Sequence, residues 1–255
     1  MEISVLGCHG AQLPGYNTTS FLLGRNILVD AGTVTSSLSL EEQTAIDYIF
    51  VTHAHLDHVK DIAFLADNLL GRKKNPVEII TTQGIIDILR ANLFNNIIWP
   101  DFSEIPSKEA PVIAFQAIDP GRWYSIGSMT ILAIPVHHIV ETVAFVIRYG
   151  GGSVIFVGDT GPTDDIWKVA NELEDLKAIF VETSFPDDMK DIASVAGHFT
   201  PAIFHHELEK LTSLDSVTIY LYHLKPQYYN LIENQVNSIS RNNVKILREG
   251  QIIDV

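Results

Sequence analysis

Short runs of apolar residues, many of them ending at Gly, Asp or Asn, recur along most of the chain. Nine of these runs predict β-strands, several of them buried on both faces: residues 3–7, 20–24, 26–32, 48–53, 77–82, 129–136, 153–159, 178–183 and 217–223. Apolar positions three and four residues apart predict helices at residues 59–70, 81–94, 164–176, 200–211 and 227–239. Strands and helices alternate in both halves of the chain, which predicts an α/β fold.

The length and composition predict one folded domain. The chain has 255 residues, of which 46% are hydrophobic and 19% charged, so it can bury a sizeable core and lacks the polar balance of a disordered protein. No Pro- or Gly-rich linker and no short repeat divides it. We therefore expect residues 1–255 to form a single domain.

The charge of the chain limits its partners. It carries 31 acidic and 17 basic residues, a formal net charge of −14, which repels long polyanions such as duplex DNA or structured RNA. We therefore expect no nucleic-acid partner. A small anionic substrate held by metal ions remains compatible with this charge.

The beginning of the chain and its cysteine content favour the cytoplasm. Cys8 is the single cysteine, so it has no intramolecular disulfide partner, and the first residues lack the basic and apolar regions of a secretion signal. No apolar run reaches the roughly 18 residues of a membrane-spanning helix, so we expect no membrane association. The oligomeric state is left open between a monomer and a homodimer.

Four metal-binding side chains are concentrated in VTHAHLDHVKD, residues 51–61. This stretch connects a predicted strand to a predicted helix, and alternate residues of an extended chain share a face. His53, His55 and Asp57 can therefore converge on one side, and His58 can turn back toward them from the start of the helix. Imidazole and carboxylate groups suit zinc, iron or manganese, and the lack of paired cysteines argues against a structural zinc finger. The cluster predicts a catalytic metal site.

The HAHLDH segment resembles the H-x-H-x-D-H signature of the metallo-β-lactamase fold. Segments at 135–147, 158–160 and 221–225 match the other metal motifs of that superfamily in the same order. The resemblance implies an αββα four-layer sandwich with two divalent metal ions, most often zinc, with manganese or iron as alternatives. It also implies one ion held by His53, His55 and His138, a second held by Asp57, His58 and His223, and a bridge formed by Asp159.

Two adjacent histidines compete for one of these positions. Strand alternation points His137 and His138 to opposite sides, so the geometry of a strand leaves either of them able to face the metals. The spacing found in the family selects His138. We expect His137 to be a packed or hydrogen-bonded strand residue.

Three further segments resemble class II cyclic-nucleotide phosphodiesterases. They are GHFTP at 197–201, FNNIIWPDFSEIPS at 94–107 and HLKP at 223–226. The resemblance implies hydrolysis of a 3′,5′-cyclic nucleotide, cAMP or cGMP, to a 5′-mononucleotide. In GHFTP, Thr200 predicts a helix N-cap and Pro201 a first helical residue. His198 would then lie beside a helix N-terminus, where it could bind a phosphate oxygen or protonate the leaving alkoxide.

The remaining candidate residues surround this proposed reaction. Glu182 is expected to orient His198 and is counted with His198 and Asp57 as catalytic. Lys225, Asn17 and Thr19 are candidates for substrate binding together with His198. Trp99 and Phe102 could stack on a purine, although packing in the core or in a loop is an equally good explanation for both.

Several other functions remain open at this point. A tRNA 3′-processing nuclease of the same branch would be expected to carry a basic, glycine-rich arm, and none is present. A cyclic-dinucleotide phosphodiesterase remains an alternative, as does a regulatory domain that binds metal or nucleotide without cleavage. A lactam, thioester or lactone hydrolase would leave GHFTP without an evident role.

Overall fold

Two mixed β-sheets packed face to face form the centre of the protein. The computed structural model describes residues 1–212 and 216–255. Its strands are β1 (Glu2–Gly7), β2 (Ser20–Leu23), β3 (Ile27–Val29), β4 (Tyr48–Phe50), β5 (Val77–Thr81), β6 (Pro106–Ser107), β7 (Ala110–Pro111), β8 (Ile113–Ala117), β9 (Trp123–Ile126), β10 (Met129–Pro135), β11 (Val143–Tyr149), β12 (Gly152–Phe156), β13 (Leu176–Glu182), β14 (Thr218–Tyr222), β15 (Val244–Ile246) and β16 (Ile252–Asp254).

The two sheets have related topologies. In the described part of the chain, seven strands form the first sheet in the order β16-β1-β2-β3-β4-β5-β8, and seven form the second in the order β15-β14-β13-β12-β11-β10-β9. Each sheet combines antiparallel pairs with a run of parallel pairs, β3-β4-β5-β8 in the first and β12-β13-β14-β15 in the second. Strands β6 and β7 form a separate short ribbon.

Helices cover the outer faces of both sheets. They are α1 (Leu40–Thr44), α2 (Leu56–Leu69), α3 (Gln83–Asn92), α4 (Asp165–Glu172), α5 (Lys190–Ala196), α6 (Pro201–Leu208) and α7 (Tyr229–Ser238). The four-layer αββα sandwich expected from the sequence is therefore confirmed. Thr200 caps α6 by accepting a hydrogen bond from the Ile203 amide, with Pro201 as the first helical residue, as predicted.

Strand alternation explains why the central strands are apolar throughout. In β10, Ile131 belongs to the core between the sheets, whereas Leu132 belongs to the layer formed with the outer helices. Aromatic rings join the two sheets across the core, since Phe21 lies 5.2 Å from Phe156 and Phe50 lies 5.4 Å from Phe145 between ring centroids. Burial on both faces therefore accounts for the continuous apolar runs.

All nine predicted strands and all five predicted helices are present, but other elements were missed, among them β11, a buried central strand that was not among the predicted runs. Strands β8 and β9 lie at sheet edges with half-exposed side chains, so their apolar pattern is weak. Helices α1 and α5 are only five and seven residues long, too short for a clear periodic signal. Among the described residues, no helix is both long enough and apolar enough to cross a membrane.

The predicted strand 26–32 ends early because the backbone turns at Asp30. This residue has a φ of 56°, in the left-handed region that ends a strand. Asp61 on α2 is buried and forms hydrogen bonds with the loop that follows Asp30. Its Oδ2 accepts hydrogen bonds from the amides of Val34 at 2.6 Å and Thr35 at 2.8 Å and from the Thr35 hydroxyl at 3.0 Å.

Replacing Asp61 with alanine should destabilise the fold. Asp61→Ala leaves two amides of this loop without their acceptor, which costs about 1–3 kcal/mol of unfolding free energy. Urea denaturation followed by circular dichroism measures the change. Asp67→Ala, at an exposed position of the same helix, is the control and should stay within about 0.5 kcal/mol of the wild type. Equal stability of the two variants would contradict this account of Asp61.

Candidate metal centre

The carboxyl ends of strands from both sheets deliver polar side chains to one edge of the sandwich. β4 leads to the HAHLDH segment, β10 to His138, β12 to Asp159 and β14 to His223. Asp57 and His58 lie in the first turn of α2, for which His55 is the N-cap residue. Because parallel strands end at the same edge, segments far apart in sequence meet here.

The seven predicted metal ligands form two groups. His53, His55, His138 and Asp159 each offer a ligand atom within 4.8 Å of the others, and Asp57, His58 and His223 do the same. The structure therefore brings together the two sets inferred from the sequence. His138, and not His137, lies in the cluster. His137 is exposed, so its side chain does not pack, but its backbone is hydrogen-bonded, with the amide donating to Thr160 Oγ1 at 3.2 Å.

Asp159 lies between the two groups. Its Oδ2 is 3.6 Å from His53 Nε2 and 3.3 Å from His223 Nε2, while its Oδ1 is 3.5 Å from His58 Nε2. The His58 and His223 Nε2 atoms are themselves only 3.2 Å apart. One carboxylate thus faces imidazoles of both groups, which is the position that a bridging ligand needs.

Hydrogen bonds at Nδ1, the ring nitrogen that faces away from the cluster, orient three of the histidines. Nδ1 of His58 lies 2.8 Å from Asp30 Oδ2, Nδ1 of His138 lies 2.9 Å from the Gly197 carbonyl, and Nδ1 of His223 lies 2.8 Å from Ser184 Oγ. Because a carboxylate or a carbonyl can only accept, Nδ1 of His58 and of His138 carries the proton. Their Nε2 lone pairs are then free to face the cluster, which is the form that binds a metal.

Asp30 and Thr52 are part of this arrangement and were missed in the sequence. Asp30 accepts hydrogen bonds from the Thr52 amide at 2.8 Å and the Thr52 hydroxyl at 2.9 Å, and Thr52 Oγ1 is 3.0 Å from His53 Nδ1. Asp30 therefore orients His58 directly and His53 through Thr52. Its position at the end of a strand adjacent to the HAHLDH strand was the available signal.

Glu182 orients His198, as the sequence analysis expected. Its Oε1 accepts hydrogen bonds from His198 Nδ1 at 2.9 Å and from the Phe199 amide at 3.1 Å, and its Oε2 accepts one from Ser184 Oγ at 2.8 Å. Glu182 is fully buried and cannot touch a substrate, so its assignment as catalytic is corrected to a positioning role. Burial disfavours the charged imidazole, but the Glu182 charge and hydrogen bond raise the pKa of His198 above its usual value.

Burial and the charges of neighbouring groups shift the pKa values of the cluster residues in different directions. Burial lowers the pKa of His53 well below its usual value, and the neighbouring His58 adds to this effect. Burial acts in the same direction on His58, yet Asp159 and Asp30 raise its pKa well above the usual value. Burial would also raise the pKa of Asp159, but His223 and His58 hold it well below its usual range. The negative charges of Asp159 and Asp30, close together at this buried edge, favour a bound cation.

The residues present fit a pair of divalent metal ions. His53 Nε2 and Asp159 Oδ1 are buried and have no hydrogen-bond partner within residues 1–212 and 216–255, although buried polar atoms normally have one. Both atoms face the cluster. The donors are imidazole nitrogens and carboxylate oxygens, the set that zinc, manganese and iron accept.

The model of a known protein family matches most of this chain. A family model described as the β-lactamase superfamily domain matches residues 25–224, a range that includes all seven cluster residues. The chain belongs to the metallo-β-lactamase superfamily.

The chain is similar to proteins named as cyclic-nucleotide phosphodiesterases and as ribonuclease Z. A 3′,5′-cyclic-nucleotide phosphodiesterase of Schizosaccharomyces pombe is 28% identical over 265 residues, covering 89% of this chain and 74% of that protein. A ribonuclease Z of Clostridium acetobutylicum is 28% identical over 195 residues, covering 71% of this chain and 60% of that protein. The crystal structure of unliganded yeast PDE1 has the same metallo-β-lactamase fold, with a TM-score of 0.85, 19% identity and coverage of 100% and 99% of the two chains.

Unlike the predicted metal ligands, the predicted substrate contacts of this metallo-β-lactamase-fold protein do not all lie at the site. Thr19 is fully buried and Asn17 uses its side-chain amide to bond the Leu6 carbonyl at 3.2 Å, so neither placement favours contact with a substrate. Lys225 lies near the site, with Nζ 5.1 Å from the centre of the Phe185 ring, which itself lies 5.7 Å from His198.

The aromatic candidates for purine stacking lie away from an open surface. Phe102 is buried in the core, so the idea that it stacks on a base was wrong. Trp99 is half-buried and packs edge-on against Phe64, with ring centroids 5.2 Å apart. Packing explains both residues without a substrate.

Replacing Asp159 should empty the metal centre. Asp159→Ala removes the one carboxylate that faces both histidine groups, so we expect fewer than two metal ions per chain and no measurable turnover. Elemental analysis of purified protein measures the metal content. Asp188→Ala, at an exposed position, is the control and should retain both ions. Two tightly bound ions in Asp159→Ala would exclude a bridging role.

Proposed function

We propose that this protein is a metal-dependent phosphodiesterase that hydrolyses 3′,5′-cyclic nucleotides to 5′-mononucleotides. The observation that carries the proposal is the placement of His198 beside the metal centre. Atoms of His198, Asp159 and His223 lie within 4.8 Å of one another, and Glu182 holds His198 from behind at 2.9 Å.

The seven clustered side chains would hold the two ions. One ion would be held by His53, His55 and His138, the other by Asp57, His58 and His223, and Asp159 would bind both. When bound, such ions lower the pKa of water toward neutrality and offset the charge of a phosphate. Zinc is the preferred identity for a set of imidazoles and carboxylates, with manganese and iron as alternatives.

The protein's own residues would then handle the leaving group. Hydrolysis breaks the bond between phosphorus and the 3′ oxygen, and that oxygen must gain a proton. His198 can donate it from Nε2, because Nδ1 is held by Glu182 and because the raised pKa increases the protonated fraction near neutral pH. Lys225 supplies a positive charge on the same side for the phosphate.

The overall charge favours a small substrate over a long one. Binding of RNA depends on neutralising many phosphates at once, which a chain of net charge −14 does poorly. A cyclic mononucleotide carries a single negative charge, and two divalent ions and Lys225 can offset it locally. The relatives that act on cyclic nucleotides support the same choice.

An RNA-processing nuclease is the second candidate. The ribonuclease Z of Clostridium acetobutylicum is as similar in identity as the phosphodiesterase from Schizosaccharomyces pombe, although it aligns over a shorter part of this chain. The two candidates share the proposed metal centre and differ in the substrate that reaches it. Activity assays with cyclic nucleotides and with RNA distinguish the two candidate functions.

Removing the His198 imidazole should slow the reaction without releasing metal. His198→Ala is expected to keep two ions per chain and to lower kcat by roughly 10²–10⁴-fold, the usual effect of losing a general acid. Steady-state kinetics with cAMP and elemental analysis measure the two effects. His205→Ala, at an exposed position on α6, is the control and should match the wild type. Loss of an ion would make His198 a ligand, and unchanged kcat would remove it from the mechanism.

The metal-loaded protein should convert cAMP, and also cGMP, to the 5′-monophosphate. We expect slower cleavage of a linear phosphodiester, and no cleavage of a β-lactam, which has no phosphate charge for the metal ions and Lys225 to offset. Chromatography of the products, with zinc, manganese or iron supplied, provides the measurement. Cleavage of a tRNA precursor or a cyclic dinucleotide while cyclic mononucleotides persist would reject the proposed substrate and leave a metallohydrolase.

A further inference from the structure

A second group of metal-binding side chains lies outside the dinuclear centre. Cys8 and His9 follow β1, and Glu249 precedes β16 in the C-terminal turn. Cys8 Sγ is 3.7 Å from His9 Nδ1, and His9 Nδ1 is 2.6 Å from Glu249 Oε1. The sulfur, nitrogen and oxygen atoms lie within 4.8 Å of one another. None of the three residues belongs to the proposed phosphodiesterase machinery.

The group is buried on one side and open on the other. Cys8 and His9 are 1% and 2% exposed, whereas the Glu249 side chain is 23% exposed. His9 and Glu249 line a cleft of about 530 Å³, together with Tyr16, Tyr229 and Arg248 among others. An ion could therefore enter from the cleft and meet the buried thiol behind it.

A proton on His9 Nδ1 joins His9 to Glu249 in the arrangement observed. Glu249 Oε1 already accepts a hydrogen bond from the Asn17 amide at 2.7 Å, and its short contact with His9 requires the proton on Nδ1. That proton leaves Nδ1 without a lone pair for the Cys8 thiol, so the 3.7 Å contact cannot be a hydrogen bond from sulfur to nitrogen. Three potential metal-ligand atoms therefore lie close together, with one short hydrogen bond among them.

We propose that Cys8, His9 and Glu249 bind a third divalent metal ion of the zinc or cobalt type. Thiolate, imidazole and carboxylate together form a donor set that these ions accept, and three protein ligands leave a fourth position for water from the cleft. Binding would replace the protons on the Cys8 sulfur and on His9 Nδ1. Burial, followed by the charge of Glu249, raises the pKa of the free Cys8 thiol, and the charge of the ion opposes both effects.

The backbone connects this third site to the dinuclear centre. The Cys8 carbonyl accepts a hydrogen bond from the His223 amide at 2.6 Å, and Gly10 donates one to the Leu224 carbonyl at 3.3 Å. Gly10 also lies against the His223 ring, where a side chain would not fit. The third site is thus adjacent to a ligand of the centre, while its own ligands are separate.

Cobalt provides a direct test because the chain has one cysteine. Cobalt(II) bound by a thiolate gives a charge-transfer absorption in the near ultraviolet, and histidine and aspartate ligands do not. Metal-free full-length protein is titrated with Co²⁺ and followed by absorption and by equilibrium dialysis. We expect three bound equivalents and a charge-transfer band that corresponds to one thiolate per chain.

Two variants and a matched control define the site. Cys8→Ser should abolish the band and the third equivalent while keeping two bound ions. Glu249→Gln should keep the thiolate but weaken the third equivalent by at least roughly tenfold, since even partners of ligands contribute that much. Glu233→Gln alters an acid of the same cleft that bonds Tyr229 and Arg248 instead, and it should behave like the wild type.

The proposal is overturned by either of two results. One is a wild-type protein that binds two Co²⁺ ions without a charge-transfer band. The other is a third equivalent of undiminished affinity in Glu249→Gln, which also decides the matter if Cys8→Ser fails to fold. Circular dichroism establishes folding of each variant. Because the readout is a thiolate signal, its outcome does not depend on whether cyclic nucleotides are hydrolysed.

Discussion

The burial of the Asp159 carboxylate among imidazoles is the constraint around which the catalytic edge of the protein is organised. A buried carboxylate is costly unless polar or charged partners surround it, and here those partners are imidazoles on segments far apart in sequence. His53 and His58 belong to the first sheet's side of the sandwich and His223 to the second. The Nε2 atoms of His58 and His223 lie only 3.2 Å apart, and the Asp159 carboxylate is a close neighbour of both. The two sheets therefore supply complementary parts of one centre, and neither part would be stable at this depth alone.

A second set of interactions determines which ring nitrogen of each histidine faces the site. Asp30, Glu182 and the Gly197 carbonyl all accept at Nδ1, and each comes from a different element. Gly197 combines two roles, because its carbonyl holds His138 and its left-handed backbone, with a φ of 68°, leads directly into His198. A side chain at Gly197 would crowd the His138 ring. The GHFTP segment therefore orients a proposed metal ligand as well as supplying the proposed acid, and this explains why glycine precedes the histidine.

Much of the architecture could be predicted from the sequence because local patterns are direct consequences of burial. The nine apolar runs are strands whose two faces contact different layers, so the pattern of Ile131 and Leu132 in β10 is visible without a structure. The HAHLDH spacing likewise carries its geometry locally, since alternation and a helix start suffice to direct four side chains to one place. Edge strands and short helices escaped prediction because they bury too little to leave a periodic signal.

The sequence by itself was sufficient for the clustered ligands of the HAHLDH segment, because their convergence depends on neighbours within a few positions, whereas His138, Asp159 and His223 were found only through the resemblance to a known family. It was insufficient for the partners that orient the histidines and for the substrate contacts. Asp30 meets His58 across 28 residues, and Glu249 meets His9 across 240, so their roles exist only once strands from both ends of the chain lie side by side. Thr19 and Phe102 illustrate the converse, since their chemistry suits a ligand but packing buries them. Distance in space and exposure to solvent arise from the packed sheets, and no local pattern encodes either one.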